Sequence, residues 1–174
     1  NYEITMGTPM KELIYDMCGG MRPGRTLKAV IPGGSSVPIL NAQDVEGCVM
    51  DYEGVVAAGS MLGSGGMIVM DDTTDIPYQV WRLARFYAHE SCAQCTQCRE
   101  GTAWTVKVME RILKGEGQES DIQLLLDLAD NMTGKTIFVL SDSCAAPVVS
   151  GLQKFRGEFD AYLSRRRQPA LATA

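Results

Sequence analysis

The hydrophobic period of the chain changes near residue 73, and this change limits the folds open to it. Residues 1–70 hold short apolar runs broken by Gly and Pro, a pattern typical of strands and turns. After the polar stretch 71–75, apolar residues recur every three or four positions, as on one face of a helix. The sequence predicts an α+β protein with a small sheet domain over residues 1–72, a helical domain over 73–164 and a basic, disordered tail over 165–174.

One helix and several short strands are predicted in the first domain. The helix begins near Thr8 and Pro9, with the proline in its first turn, and ends at Gly19 and Gly20. Strands are expected at Tyr2–Thr5, Thr26–Ile31, Val49–Tyr52, Val55–Ala57 and Met67–Met70. Together these elements predict one helix packed on a small sheet.

Four helical stretches are predicted in the second domain. Their apolar positions are, in order, Ile76, Val80, Leu83 and Tyr87; Trp104, Val108 and Ile112; Ile122, Leu125, Leu126, Ala129 and Met132; and Leu152, Phe155, Phe159 and Leu163. Pro147 suits the first turn of the fourth helix. Short connections between four such helices predict a compact antiparallel bundle.

Charge and hydropathy exclude several classes of protein. The chain carries 16 basic and 21 acidic residues, a net charge of −5, and so lacks the basic field that nucleic-acid binding requires. No apolar run approaches the roughly 20 residues that cross a bilayer. Lys11, Glu12 and Asp16 interrupt any signal peptide, which favours a cytoplasmic location. Since the chain begins with Asn1, we expect a fragment or a processed product.

Three of the six cysteines follow one another at intervals of three residues, at Cys92, Cys95 and Cys98. This spacing lets three thiolates converge on a 4Fe-4S cluster, and Cys144 is the remaining cysteine of the helical half. Zinc is an alternative, although zinc sites usually pair cysteines or combine them with histidine. Buried thiols without metal are a second alternative. Cys18 and Cys48 have no partner spacing and are interpreted as buried thiols.

Residues beside the cysteine triplet are candidates for tuning a cluster rather than for catalysis. Arg99 can offset the negative charge of a thiolate-bound cluster, and Gln94 and His89 are further candidate neighbours. For His89 a packed position at a helix end is the simpler interpretation. With one histidine, no acid-base or nucleophilic centre can be assembled, so no catalytic residue is predicted.

The segment 90–101, with 134–136 and 155–159 behind it, resembles the C-terminal part of the NADH- and FMN-binding flavoprotein subunit of respiratory complex I. Related subunits of NAD-linked hydrogenases and formate dehydrogenases share this pattern. The front half is similar to the soluble-ligand-binding β-grasp (SLBB) domain of the same family, in segments 7–9, 18–20, 32–36 and 63–69.

The resemblance implies electron transfer through the 4Fe-4S cluster within an NADH:quinone oxidoreductase. Electrons would enter from FMN and leave to partner subunits, a thioredoxin-like 2Fe-2S subunit and a large iron-sulfur subunit. The FMN and NADH sites of the family lie N-terminal to the segments matched here, so neither is expected in this chain. The implied location is cytoplasmic, or peripheral on the cytoplasmic face of a membrane.

One position departs from the family pattern. The family places its fourth cluster cysteine where this chain has Phe138, and Cys144 follows six residues later. Either Cys144 replaces that ligand, which is the interpretation we favour from the sequence, or three cysteines hold a labile cluster. Two other functions remain open: a hydrogenase or formate dehydrogenase flavoprotein, and a non-redox interaction module with a zinc or empty cysteine site.

Overall fold

The computed structural model describes residues 1–165, which separate into two compact units. The first unit spans Asn1–Thr74, and the second begins at Asp75. The first unit contains both strands and short helices, whereas the regular elements in the described part of the second unit are all helices. An α+β fold is confirmed.

Five short strands, three short α-helices and one π-helical segment form the first unit. In chain order they are β1 (Thr8–Pro9), α1 (Met10–Glu12), a π-helical segment (Leu13–Met17), β2 (Leu27–Ile31), β3 (Leu40–Asn41), α2 (Ala42–Val45), β4 (Val49–Met50), α3 (Tyr52–Ala57) and β5 (Ile68–Asp71). β1 and β4 form an antiparallel pair, and β2 lies between β3 and β5 in an antiparallel sheet. Val30 of β2 is paired with Leu40 on one side and with Val69 on the other.

A close approach of two turns closes the first unit. The backbone N–H of Ser64 donates to the carbonyl of Gly33 at 3.1 Å, and that of Gly34 donates to Gly66 at 2.8 Å. Gly63 has φ +51°, and a Cβ there would lie 2.2 Å from the Gly33 oxygen. Only glycine fits this position, because a side chain would meet both backbone strain and backbone atoms.

Short polar caps begin the small helices of this unit. Asn41 and Asp44 form a reciprocal capping box at α2. Asp51 accepts the backbone N–H of Gly54 at 2.6 Å and so begins α3.

The core of the first unit gathers side chains from the π-helical segment, the sheet and the short helices. It contains Met10, Leu13, Ile14, Val30, Leu40, Val45, Cys48, Met50 and Val55. The predicted burial of Cys48 is confirmed, but Cys18 is exposed, so its predicted burial is wrong.

Two predicted strands of the first unit are wrong. Residues 1–5 form no strand. Val55–Ala57 lies in α3, because the cap at Asp51 starts a helical turn that outweighs the β preference of two adjacent valines. The predicted helix is also shorter than expected: it begins at Met10 and continues as the π-helical segment to Met17.

The second unit contains five helices in its described part. They are α4 (Ile76–Glu90), α5 (Thr96–Leu113), α6 (Ser120–Met132), α7 (Leu140–Lys154) and α8 (Arg156–Arg165). α4 packs against α5 and α7, and α6 packs against the same two helices. The fourth predicted stretch is therefore two helices, α7 and α8, separated at Phe155.

The sequence predicted Pro147 in the first turn of a helix. This prediction is wrong, because Pro147 lies inside α7. The helix begins seven residues earlier because Leu140, Cys144 and Val148 recur every four positions and pack inward. The predicted tail 165–174 lies outside the described residues, apart from Arg165 at the end of α8.

Side chains of α8 form hydrogen bonds with groups at the N-terminus of α4. Asp75 caps α4 by accepting the N–H of Tyr78, and its other carboxylate oxygen accepts the hydroxyl of Tyr162 at 2.5 Å. Glu158 accepts the N–H of Ile76 at 3.1 Å. Two side chains of α8 therefore satisfy groups at the N-terminus of α4.

None of the helices in the described part of the chain combines the length and the hydropathy needed to cross a bilayer.

Candidate metal centre

The three spaced cysteines lie where the chain turns from α4 into α5. Cys92 is in the connecting loop, Cys95 has an extended backbone immediately before α5, and Cys98 is in the first turn of that helix. Exposure falls along the series, from exposed Cys92 to half-buried Cys95 and buried Cys98. The N–H groups and dipole at a helix N-terminus stabilise thiolates, so this position suits metal-binding cysteines.

Local hydrogen bonds hold this cysteine loop in one conformation. The Ser91 hydroxyl lies 3.3 Å from the sulfur of Cys98 and accepts the backbone N–H of Ala93. Ala93 has φ +63°, an uncommon value for a residue with a side chain. The Arg99 guanidinium donates to the Ala93 carbonyl at 2.8 Å, so Arg99 and Ser91 fix both polar groups of the strained residue.

A second segment reaches the cysteine loop from far along the chain. The backbone N–H of Ile137, in the connection between α6 and α7, donates to the sulfur of Cys95 at 3.5 Å. This connection is held at both ends: the Gly134 N–H donates to Asp142, and the Thr136 hydroxyl lies 2.6 Å from the Ser141 hydroxyl. The sulfur of Cys95 thus receives a backbone hydrogen bond that favours its negative charge.

Cys144 lies apart from this loop, inside the packed helices. Its side chain is fully buried and packs with Ala84 and Tyr87 of α4, and with Val106 and Leu140. Burial and, to a smaller extent, the charge of Cys98 together raise the pKa of Cys144 from 9.0 to about 12. Cys98 and Cys144 are therefore near enough to interact electrostatically, although Cys144 is a neutral thiol in an apolar setting.

The predicted neighbours of the cysteines differ in what they contact. Arg99 also donates to Glu100 at 2.9 Å, in addition to the bond with the cysteine loop. Gln94 is exposed. The side chain of His89 is 85% exposed and its Nδ1 lies 3.0 Å from Glu90, so the packed position expected for this histidine is wrong.

The three spaced cysteines supply thiol donors, which both zinc sites and iron-sulfur clusters take. Among residues 1–165, no three His, Cys, Asp or Glu side chains are grouped so that they could hold a metal ion. A mononuclear zinc requires four donors at about 2.0–2.3 Å from one centre, whereas each iron of a cluster takes a separate thiolate. The thiols of Cys92, Cys95 and Cys98 supply the donor type that an iron-sulfur cluster uses.

Sequence reasoning missed three features of this site. The roles of Ser91 and of the Ala93 backbone depend on loop geometry, and Ser91 was visible only as part of the motif. The backbone N–H of Ile137 carries no side-chain signal, although Gly134-Lys135-Thr136 marked the segment that contains it.

Comparisons with known proteins match both units. Residues 78–162 match the NADH-ubiquinone oxidoreductase-F iron-sulfur binding region, and residues 1–68 match the SLBB domain. The fold and the cysteine loop thus define an iron-sulfur segment joined to an SLBB domain.

Relatives of known name agree with these matches. The chain is 49% identical over 161 residues to the NADH-quinone oxidoreductase F subunit of Rickettsia bellii, an alignment that covers 92% of this chain and 39% of the relative. It is 46% identical over 176 residues to the protein of the same name from Streptomyces coelicolor, covering 99% of this chain and 39% of that protein. Over nearly its whole length the chain is similar to NADH-quinone oxidoreductase F subunits, and it spans about two fifths of the length of these relatives.

A solved structure aligns with nearly all of the chain. An NAD⁺-reducing [NiFe]-hydrogenase in its H₂-reduced state aligns with a TM-score of 0.79 and 29% identity, over 97% of this chain and 27% of that one. The resemblance to the complex I flavoprotein subunit and its hydrogenase relatives is confirmed.

Proposed function

We propose that this chain is the electron-transfer segment of an NADH:quinone oxidoreductase flavoprotein subunit, with Cys92, Cys95 and Cys98 as ligands of a 4Fe-4S cluster. The observation that carries the proposal is the placement of three thiols on one loop at the N-terminus of α5, inside the iron-sulfur binding region. When bound, the cluster supplies one-electron chemistry at a fixed position.

The residues of the chain would hold the cluster and adjust its charge. The α5 N-terminus and the Ile137 N–H face the negative charge of the thiolates. Arg99 brings a positive charge to the same loop while fixing the Ala93 carbonyl. Each of these groups favours the more negative, reduced state and so raises the reduction potential.

Partners and the rest of the reaction are also part of the proposal. FMN and NADH would bind in a region of the subunit beyond the part matched here, since no segment of this chain shows a motif for either. Electrons would pass to a thioredoxin-like 2Fe-2S subunit and a large iron-sulfur subunit. We place the assembly at the periphery of the membrane, on its cytoplasmic face.

Iron and acid-labile sulfide per chain, with the visible spectrum, test the cluster. We expect four irons and an absorbance that dithionite bleaches in the wild type and in Cys18→Ser, a matched control with an exposed cysteine in the first unit. Cys95→Ser should lose both. One zinc per chain without visible absorbance would contradict the proposal and favour a structural zinc module.

The role of Arg99 is tested by potentiometry on the loaded protein. Arg99→Gln should lower the midpoint potential, because it removes a positive charge from the cysteine loop. Arg99→Lys should retain more of the wild-type potential. Equal potentials in all three proteins would limit Arg99 to holding the loop.

A hydrogenase subunit is the second candidate, favoured by the solved structure that shares this fold. The two candidate functions can be distinguished by identifying the subunits that co-purify with the tagged chain. A large iron-sulfur subunit and a quinone-reducing module would support the first proposal, whereas a [NiFe] subunit would support the second.

A further inference from the structure

We propose that three cysteines of this chain hold the cluster, and that its fourth iron takes a small exchangeable ligand, water or hydroxide, in place of a cysteine. This inference rests on the proposed 4Fe-4S cluster and revises the ligand set expected from the sequence, which included Cys144.

The setting of Cys144 is that of a core residue. Its side chain is fully buried among Ala84, Tyr87, Val106 and Leu140, which come from three helices. Leu140 lies one turn before Cys144 on the same face of α7 and packs in the same group. For its sulfur to ligate iron, these apolar contacts would have to open.

The segment that does reach the cysteine loop has no side chain able to bind iron. The connection that donates to Cys95 presents Ile137, Phe138 and Val139, and these side chains are 76%, 52% and 70% exposed. The polar side chains on either side are engaged: the Thr136 hydroxyl donates to the Phe138 carbonyl at 2.9 Å, and Asp142 accepts from Gly134. Within residues 1–165, the helical unit therefore offers three thiols on the cysteine loop and, beside it, an apolar segment in place of a fourth.

An iron without a protein thiolate is the first to be lost on oxidation. The balanced step is [4Fe-4S]²⁺ → [3Fe-4S]⁺ + Fe²⁺ + e⁻, with ferricyanide as the oxidant that takes the electron. Ferrous ion and a reductant reverse the step. Four cysteine ligands hold every iron and resist this conversion.

The test uses the full 174-residue chain, loaded anaerobically, as wild type, Cys144→Ala and Phe138→Cys. Iron is counted before and after one equivalent of ferricyanide, and the three-iron species is measured by electron paramagnetic resonance. We expect the wild type to bind four irons, release one as Fe²⁺ and recover it. Cys144→Ala should behave like the wild type.

Phe138→Cys should suppress the release of iron several-fold, because it adds a thiol beside Ile137, whose N–H contacts Cys95. A matched Val139→Cys variant, also on the exposed segment, reports whether any added thiol has this effect. Protection by either variant supports an open iron at this edge, and protection by neither overturns the proposal.

Two outcomes separate this inference from the proposed function. A wild type without iron removes the proposed function itself. A wild type with four irons that ferricyanide leaves intact, or a folded Cys144→Ala variant that binds only three, overturns the three-cysteine site alone.

A ligand-exchange measurement covers the case in which Cys144→Ala fails to fold. Cyanide added to the reduced wild type should change its paramagnetic resonance spectrum, because an exchangeable position accepts the ion. Phe138→Cys should show no change. An unaltered wild-type spectrum at saturating cyanide overturns the proposal.

Discussion

The two units of this chain reach a stable fold by different means. The first unit has strands of two to five residues and closes where backbone atoms of two turns meet, at Gly33 and Gly63. The second buries the apolar faces of helices of 10 to 18 residues and adds a cysteine loop with little core of its own. The first unit therefore adds close backbone contacts between turns to its small core, whereas the second relies on burial along long helices and on the proposed cluster.

Loss of the cluster should produce the largest difference in stability between the two units. Cys95→Ala should release the metal and loosen the second unit by about 4 kcal/mol, the stabilisation given by a ligand at a thousand times its Kd. Both tryptophans, Trp81 and Trp104, lie in the second unit, so their fluorescence during urea unfolding reports it selectively. Hydrogen exchange in residues 1–74 should stay unchanged; equal loosening of both units would contradict the division.

Gly63→Ala should destabilise the first unit instead of the second. Its Cβ would lie 2.2 Å from the Gly33 oxygen at φ +51°, so we expect a loss of about 3 kcal/mol from the first unit. Gly65→Ala is the control, with φ +69° and open space, and should cost about 1–2 kcal/mol for the backbone alone. Hydrogen exchange measures both. Similar losses in the two variants would show that the close turn is not what holds the sheet.

An intermediate change is expected from the ion pair between α5 and α6. Asp121 is 2% exposed, accepts two hydrogen bonds from Arg111 and accepts the N–H of Gln118 at 2.8 Å. Asp121→Ala should destabilise the second unit by about 2–3 kcal/mol, less than a fully buried pair because Arg111 is partly exposed. Asp130→Ala, at an exposed carboxylate on the same helix, should change the tryptophan unfolding midpoint little. If Asp121→Ala left the stability of the second unit unchanged, that stability would come from apolar burial alone.

Alkaline pH should lower the stability of the second unit only slightly more than that of the first. Burial, followed by the hydrogen bond to Asp75, raises the pKa of Tyr162 above its ordinary value of 10.0. Its contribution to stability is therefore constant below pH 10 and is lost above it, where the unfolded chain releases the proton first. Tyr162→Phe should cost about 1 kcal/mol at neutral pH and flatten the alkaline decline measured by tryptophan fluorescence. Tyr52→Phe, at an exposed position in the first unit, should retain the wild-type slope.

Long, regular elements were predictable from the sequence and short ones were less so. The helices of the second unit follow from apolar residues at three- and four-residue spacing, which persists over several turns. β2 and β5 were found within one residue at each end. The segment Val55–Ala57 was assigned to the wrong class because a single hydrogen bond at Asp51 decides its conformation.

The cysteine triplet was predictable because its spacing is local, but the surroundings of the triplet were not. The bond from Ile137 to Cys95 joins residues 42 positions apart. The burial of Cys144 depends on residues from α4 and α5, which no local pattern links to it. Pro147 was misleading because a start signal at one position is weaker than the inward face that Leu140, Cys144 and Val148 share.

The hydrogen bonds between α8 and the N-terminus of α4 have a consequence for biosynthesis. The partners of Ile76 and Asp75 lie 82 and 87 residues later, at Glu158 and Tyr162, so this contact closes only when nearly all of the unit has left the ribosome. Such a high contact order slows the final step of folding relative to the formation of each helix. A chain that ended before Glu158 would leave the first turn of α4 incompletely bonded, so the helical unit completes its fold only with α8 in place.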